Sequence, residues 1–206
     1  MTELKTDDEL AEEIKQWWKE NGRSVIVGIA LGLSAIAGWR SWNNHQEQQA
    51  LQASDQYQAV LTAIKKDDQG QIAPLLSDIQ KQFPKSPYSS FASMEMAKAL
   101  VVKGETAAAQ KQLKWALAHI SVPQTKTLIQ IRLAKLLIND KKLDEAMQLI
   151  KDISLESGEV LMIKGDIALL KGDPAAARAQ YMSAKEKGVA DQNFLQMKID
   201  DLTPAS

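Results

Sequence analysis

Three stretches of the chain align with one another without a gap, and this internal repetition restricts the fold more than any other feature of the sequence. The windows begin at Ser93, Gln130 and Leu161. Each has a small residue at its fifth position, then a polar turn, a second small residue and, four positions later, a large apolar residue. In window order the small pairs are Ala97 and Ala109, Ala134 and Ala146, and Gly165 and Ala177, and the large residues are Leu113, Ile150 and Tyr181.

This pattern predicts a series of helical hairpins. Small residues on facing sides let two antiparallel helices approach closely, and the large residue fills the space toward the next hairpin. The polar turns, Lys103-Gly104-Glu105, Asp140-Lys141-Lys142 and Lys171-Gly172-Asp173, lie in register between the small residues. Because one hairpin cannot bury its apolar face alone, neighbouring hairpins stack. The expected fold is therefore all-α, an α-solenoid of hairpins.

The windows begin 37 and 31 residues apart, close to the 34-residue period of tetratricopeptide repeats, and the pattern resembles that family. FPKSPYSSFASMEMAKALVVKGE has the form of a repeat junction, with Pro84 and Pro87 at the entry to a new helix. The family's signature tryptophan, at the fourth position of its repeat, is absent from that position in all three windows, so the repeats are degenerate. A generic helical bundle remains the alternative, since alanine is common in this chain.

The sequence on both sides of the windows is also expected to be helical. The polar stretch 43–56 predicts a stalk helix that acquires a buried face from Tyr57 onward. A second helix is expected over about 72–83, and this first hairpin fits the repeat pattern only loosely. Near the other end, NFLQMKIDDL predicts a helix that caps the last repeat. Residues 57–206 are thus expected to form one repeat domain.

The apolar segment RSVIVGIALGLSAIAGWRSW, residues 23–42, predicts a transmembrane helix. Its uncharged part, Ser24 to Trp39, would rise about 24 Å as a helix, against a hydrocarbon core of about 30 Å. Tryptophans and a snorkelling arginine at the ends extend its reach to the interfaces of the lipid bilayer. The residues expected at the two interfaces are Trp17, Trp18, Trp39, Arg40 and Trp42.

Two other interpretations of this segment remain open. Ala35-Ile36-Ala37 has the form of a signal-peptide cleavage site, although the region in front of it is long and acidic. A buried helix of a soluble protein would be weakened by glycines such as Gly38, each by about 1 kcal/mol relative to alanine. In lipid, by contrast, Ser24, Gly28 and Gly32 at four-residue spacing would form a face on which a second transmembrane helix could pack closely.

Basic residues set the expected orientation of the anchor. Lys5, Lys15, Lys19 and Arg23 precede the uncharged part of the segment, whereas only Arg40 follows it closely. An excess of lysine and arginine marks the cytoplasmic side of a membrane helix. The N terminus is therefore expected in the cytoplasm, and the repeats on the other side of the membrane.

Residues 1–22 are expected to form a cytosolic tail with an amphipathic helix. Leu10, Ile14 and Trp17 recur at helical spacing, and Asn21-Gly22 is expected to end the helix. The stripe can be interpreted as a helix lying on the membrane surface or as one docking on the cytosolic face of a partner.

The sequence offers little material for catalysis or for metal binding. It contains no cysteine, which excludes disulfides, cysteine nucleophiles and zinc–cysteine sites. Its two histidines, His45 and His119, have no neighbouring serine or carboxylate motif, and no phosphate-binding glycine loop is present. A formal net charge of −1 gives no general attraction to nucleic acid. We expect a non-catalytic interaction protein without a metal or a cofactor.

Taken in order, WWKENGRS, VIVGIALGLSAIAGWRSWNNHQ, a helical stalk, degenerate repeats and LQMKIDDL resemble the ancillary subunits of the bacterial SecYEG translocon, the YfgM family. The resemblance covers nearly the whole chain. It implies a single-pass inner-membrane protein with a periplasmic repeat domain that associates with the SecYEG translocon and with PpiD, a membrane-anchored periplasmic chaperone. It also implies a role in passing emerging secretory polypeptides to periplasmic chaperones.

Other functions with the same topology stay open at this point. The protein could be a scaffold for envelope or division machinery, or a regulator that acts through its cytosolic tail. The carboxylate clamp by which some tetratricopeptide domains grip chaperone C termini is not expected. It needs asparagine at a position that here holds Glu95, Arg132 and Ile163.

Overall fold

The computed structural model describes residues 7–151, 153 and 157–202, and every regular element within those ranges is an α-helix. The helices are α1 Asp7–Lys65, α2 Gln69–Gln82, α3 Pro87–Val102, α4 Thr106–His119, α5 Pro123–Asn139, α6 Leu143–Lys151, α7 Gly158–Leu170, α8 Pro174–Lys187 and α9 Gln192–Asp200. The expected all-α class is confirmed. Three parts of the expected regions lie outside the described residues. They are residues 1–6 of the expected tail, residues 152 and 154–156 at and just after the end of the second window, and residues 203–206 of the repeat domain.

α1 continues without interruption through the position where a helix end was expected. The break predicted at Asn21-Gly22 is wrong, because α1 runs from Asp7 to Lys65. The side-chain amide of Asn21 donates to the backbone oxygen of Trp17 at 3.1 Å, and Gly22 packs beneath the Trp18 indole. A single glycine costs about 1 kcal/mol in a helix interior. This penalty is too small to interrupt a helix as long as α1.

The chain divides into two compact units, of which the first ends at Leu51 and the second begins at Gln52. In the first unit the apolar side chains of α1 are exposed, as Ile29 (57%) and Leu31 (67%) illustrate. Among the described residues, α1 is the one helix long and apolar enough to cross a membrane. Its exposure contradicts the alternative of a buried core helix.

The second unit consists of helical hairpins that pack in chain order. α3 packs against α4, α5 against α6 and α7 against α8, and these three hairpins coincide with the three aligned windows. α4 then packs on α5, and α5 and α6 pack on α7, so that one hydrophobic core continues from α3 to α7. A second cluster joins α7, α8 and α9, and a third joins the end of α1 to α2 and α3.

The turns within the hairpins share one backbone geometry. After α3, the Glu105 amide donates to the Leu100 oxygen at 2.9 Å and the Gly104 amide to the Val101 oxygen at 3.0 Å, the bond pair of a Schellman motif. This motif needs a residue with positive φ, and four residues at equivalent places supply it: Asp67 (53°), Gly104 (78°), Lys141 (61°) and Gly172 (85°). The loosely fitting first hairpin, formed by the end of α1 and α2, therefore has the same turn as the others.

α2 begins earlier than the expected start near residue 72. Asp68 is its N-cap, and the Asp68 carboxylate accepts a hydrogen bond from the Gln71 amide at 3.2 Å. Aspartate at this position satisfies an amide that the first helical turn leaves without a partner. The helix therefore starts at Gln69, directly after the turn.

Candidate interaction surfaces

The small residues of the three windows lie at the contacts between paired helices. All six are buried, and the alanines among them are at most 2% exposed. The helices approach closely at Gly165 in α7, where a Cβ atom would lie 2.4 Å from the Tyr181 ring of α8. The large residues Leu113, Ile150 and Tyr181 are buried as well.

A polar cluster joins the last three helices. The Tyr181 hydroxyl of α8 donates to Asp166 Oδ1 of α7 at 2.7 Å, and the Lys198 ammonium of α9 lies 2.8 Å from the same oxygen. Burial, and secondarily the hydrogen bond to Asp166, raise the pKa of the Tyr181 phenol. Lys198 also lies over the Phe194 ring at 4.9 Å. Every member of this cluster has a partner within it, so the cluster fastens α9 to the last hairpin.

The hairpin turns are connected to the preceding hairpin by polar contacts at one repeated position. Lys103 pairs with Asp67, and Lys171 with Asp144 at 2.6 Å. At the equivalent place in the middle window, Asp140 accepts a hydrogen bond from Gln110 at 2.8 Å. The hydrogen bond from Lys103 lowers the pKa of the exposed Asp67 carboxyl, and a bond from the Gln69 amide adds to the effect. Each of these turns thus makes a polar contact with the hairpin that precedes it.

The proposed packing face of the apolar segment is exposed along its length. Ser24, Gly28 and Gly32 are all exposed, and a Cβ atom added at Gly28 or Gly32 would meet nothing within 4 Å. The expected interface residues are exposed too: Trp17 (54%), Trp18 (51%), Trp39 (67%), Trp42 (61%) and Arg40. This part of α1 therefore presents a smooth apolar face flanked by aromatic side chains.

A groove of about 360 Å³ lies between α3 and α5, and we call it the α3–α5 groove. Its apolar wall includes two adjacent valines at the end of α3, of which Val101 is 45% and Val102 84% exposed. Deeper apolar residues line it from three helices: Met94, Ala97, Leu113 and Leu136. Exposed valine at a helix end leaves apolar surface in water that a partner could cover.

Three cationic side chains line the same groove, and none of its lining residues is acidic. Lys98 lies on α3, and Arg132 and Lys135 lie on α5. Among the described residues no hydrogen bond or ion pair engages any of the three. Four other lysines of the repeat domain do have a carboxylate partner: Lys103, Lys114, Lys171 and Lys198. The cations of the groove therefore form no ion pair within the described chain.

A larger groove of about 700 Å³ lies between α4 and α6, with Leu133 and Leu137 of α5 at its base. Its rim carries both signs of charge. Lys114 lies 3.9 Å from Glu145, and Asp144 is paired with Lys171. The second groove is thus apolar, and the charged residues on its rim are paired with residues of opposite charge.

The two histidines make local contacts. His45 contacts the Gln49 amide at 3.0 Å one turn further along α1. The His119 ring stacks on Trp115 at 4.0 Å, and its Nδ1 lies 2.8 Å from the Trp115 backbone oxygen. Within the ranges that the structure covers, no group of three potential metal ligands comes together. Neither histidine adjoins an acid or a nucleophile in these contacts.

The cations of the α3–α5 groove were not recognised as site residues from the sequence, although a signal for two of them was present. Lys98 and Lys135 hold the same window position, directly after the small residues Ala97 and Ala134. The third window has Asp166 at this position, and the Asp166 carboxylate accepts the hydrogen bond of Tyr181. Arg132 has no counterpart in register, and only the stacking of α5 on its neighbours brings it to the groove.

Comparison with known proteins places these features in a family. The family described as a tetratricopeptide repeat-like domain matches residues 15–204. A protein of Escherichia coli described as an ancillary SecYEG translocon subunit is 32% identical over 96% of this chain and 97% of its own length. A Haemophilus influenzae protein of the same description is 30% identical over 95% of this chain and 97% of its own length.

A solved structure agrees with the helical architecture. The structure from the functional characterization of Pseudomonas aeruginosa pilF matches 75% of this chain and 68% of that chain, with a TM-score of 0.57 and 18% identity. At this identity the match shows the fold alone. Together with the family match it confirms the expected tetratricopeptide-like hairpins. The chain therefore belongs to the family of ancillary SecYEG translocon subunits, whose repeats are of the tetratricopeptide-like kind.

Proposed function

We propose that this protein is a non-catalytic subunit of the SecYEG translocon that links emerging secretory polypeptides to periplasmic chaperones. The observation that carries the proposal is full-length similarity to proteins described as ancillary SecYEG translocon subunits. The exposed apolar surface of α1 supports a membrane location, since such a surface is costly in water. The repeat domain supports a binding role, because stacked hairpins offer extended surfaces to partners.

The anchor is proposed to lie in the bacterial inner membrane with its N terminus in the cytoplasm. Lys15, Lys19 and Arg23 before the apolar segment support this orientation. Residues 43–56 then form the periplasmic stalk and the hairpins a periplasmic domain. In this position the hairpins can meet polypeptides as they leave the translocon, and a membrane-anchored chaperone of the PpiD type.

Contact with the translocon is proposed to use the face formed by Ser24, Gly28 and Gly32. Small residues at four-residue spacing let helix backbones approach closely in lipid, where dispersion contacts and weak hydrogen bonds drive association. The exposure of all three residues leaves this face free for a neighbouring helix.

The proposal is tested by purifying the tagged full-length protein from membranes in a mild detergent and identifying co-purified proteins by mass spectrometry. Translocon subunits together with a membrane-anchored periplasmic chaperone are the expected result. Recovery of translocon subunits without a chaperone would support association with the translocon but contradict the proposed link to periplasmic chaperones. Absence of translocon subunits, with the protein intact in the membrane fraction, would contradict the proposal and favour a scaffold for envelope machinery.

A further inference from the structure

The α3–α5 groove combines exposed apolar surface with three cations that form no ion pair within the described chain. We propose that this groove binds a short polypeptide segment in which acidic side chains flank a large apolar one. The proposal rests on the proposed function, in that it specifies which polypeptide segments the repeat domain takes. It concerns side-chain carboxylates rather than a free C terminus.

The apolar requirement follows from the walls of the groove. Val101 and Val102 lie side by side at the end of α3 and are 45% and 84% exposed. Covering apolar surface stabilises a complex by about 25 cal/mol per Å² before the costs of association. A large apolar side chain placed between these valines and Leu136 would cover the valines together with the deeper wall.

The acidic requirement follows from the cations that line the groove. Lys98, Arg132 and Lys135 approach the same apolar space from two helices and have no carboxylate partner among the described residues. Like charges in one cleft raise its potential and favour ligands of opposite sign. The half-buried Arg132 guanidinium can bind a carboxylate through two parallel hydrogen bonds.

The larger groove between α4 and α6 does not have this preference. Its acidic residues Asp144 and Glu145 are already paired with lysines. An acidic ligand there would meet carboxylates on the rim, and a basic ligand would have to displace a lysine. Charge therefore distinguishes the smaller groove from the larger one.

The register of the repeats limits the length of the bound segment. Lys98 and Lys135 hold equivalent positions on α3 and α5, but α7 has Asp166 there. This carboxylate already accepts from Tyr181 and pairs with Lys198. The row of free cations thus ends at α5, so the segment contacts two hairpins rather than the whole domain.

The binding test uses the full-length protein in lipid nanodiscs, with empty nanodiscs as the reference, and fluorescence anisotropy of labelled peptides of about ten residues. All peptides are acetylated and amidated, so that they carry no terminal charge. The first combines glutamate and leucine, the second glutamine and leucine, the third lysine and leucine, and the fourth glutamate and serine. We expect the first to bind, and to weaken as salt is raised.

The matched peptides separate the two requirements. The glutamine, lysine and serine peptides are each expected to bind about tenfold more weakly than the glutamate–leucine peptide. Equal binding of the glutamine or lysine peptide would overturn the acidic requirement, and equal binding of the serine peptide the apolar one. A glutamine–leucine peptide with a free C terminus that binds as tightly as the first would overturn the choice of side-chain carboxylates.

Charge reversal locates the binding site. Lys98→Glu combined with Lys135→Glu is expected to weaken binding of the glutamate–leucine peptide by at least about tenfold. Lys111→Glu combined with Lys126→Glu changes the net charge equally, at exposed lysines outside both grooves, and should leave the affinity within about twofold. Equal effects of the two double variants would overturn the assignment to this groove.

A milder variant guards against loss of folding. Arg132→Gln keeps a long polar side chain at its half-buried position, and helical content and the midpoint of thermal unfolding verify that each variant is folded. Unchanged peptide affinity in both Arg132→Gln and the folded double variant would overturn the proposal. Because the assay uses purified protein, its result is independent of the co-purification. Recovery of the translocon without peptide binding would remove only the groove proposal, and peptide binding without the translocon only the proposed function.

Discussion

The hydroxyl of Tyr181 donates to Asp166 Oδ1 at 2.7 Å, and its ring lies on Gly165, the residue that precedes this acid in α7. Two adjacent residues of α7 thus contact the same tyrosine, Gly165 at its ring and Asp166 at its hydroxyl. The glycine allows the ring to approach, and the carboxylate satisfies the hydroxyl of a side chain that is fully buried. The large residue of the third window is therefore held by shape and by hydrogen bonding together.

Gly165→Ala should destabilise the repeat domain by about 1–2 kcal/mol. The new methyl group would lie 2.4 Å from the Tyr181 ring, and overpacking of this kind outweighs the better helix propensity of alanine. Gly70→Ala is the matched control, since its methyl group would meet only Asp68 at 3.5 Å. Thermal unfolding of the full-length protein in detergent measures both, and a Gly165 variant as stable as the Gly70 variant would contradict the packing argument.

Tyr181→Phe should cost about 1 kcal/mol near neutral pH and make stability less sensitive to alkali. Burial and the bond to Asp166 raise the pKa of Tyr181 above its ordinary value. The neutral phenol therefore contributes stability that is fully present below the unfolded pKa of about 10 and is lost as the pH rises above it. Unfolding midpoints between pH 8 and about 11 test this, and parallel pH profiles for wild type and variant would refute it.

Gly172→Ala should destabilise the repeat domain, whereas Lys141→Gly should not. Both positions have positive φ, 85° and 61°, in equivalent hairpin turns. A methyl group at Gly172 would meet nothing within 4 Å, so its cost, about 1 kcal/mol, comes from the backbone alone. Lys141→Gly relieves the same strain, but the more flexible glycine loses more conformational entropy when the chain folds. The variant is therefore expected to be neutral or slightly stabilising. Equal losses in the two variants would show that the turns are not equivalent.

The hairpins and their register could be predicted from the sequence because their signals are local. Small residues such as Ala97 and Ala109 recur at fixed spacing, and the turn residues between them need a positive φ that glycine supplies readily. The apolar pattern predicts too late a start for α2, because it begins only at Ile72. The N-cap at Asp68 determines the start instead.

Features that depend on contacts between distant helices could not be predicted. The cluster of Tyr181, Asp166 and Lys198 joins three helices, and nothing in the spacing of these residues indicates it. The repeat register indicates two cations of the α3–α5 groove, Lys98 and Lys135, but a lysine is recognised as unpaired only once the nearby acids have been located. Asn21-Gly22 predicts a break that α1 does not have, because a local helix-breaking signal takes no account of the long helical segments on both sides.

Single cysteines should report the orientation of the anchor, since the chain has no cysteine of its own. Gln16 and Gln48 are exposed on α1, on opposite sides of the apolar segment. With the N terminus in the cytoplasm, a maleimide that cannot cross the inner membrane should label Gln48→Cys in intact spheroplasts, and Gln16→Cys only after lysis. Labelling of Gln16→Cys before lysis would reverse the proposed topology.

Gly28→Leu combined with Gly32→Leu should leave membrane insertion intact and weaken association with the translocon. Leucine makes the segment more apolar, so insertion does not suffer, but two large side chains would keep a neighbouring helix from approaching the backbone. Ala30→Leu combined with Ala37→Leu is the matched control, because these alanines lie on the opposite face of the same helix. Co-purified translocon, measured relative to the tagged protein in the membrane fraction, should fall in the glycine variant and persist in the alanine variant. Equal recovery would exclude the glycine face as the contact, and loss in both variants would mean that the whole circumference of the helix is enclosed by its partners.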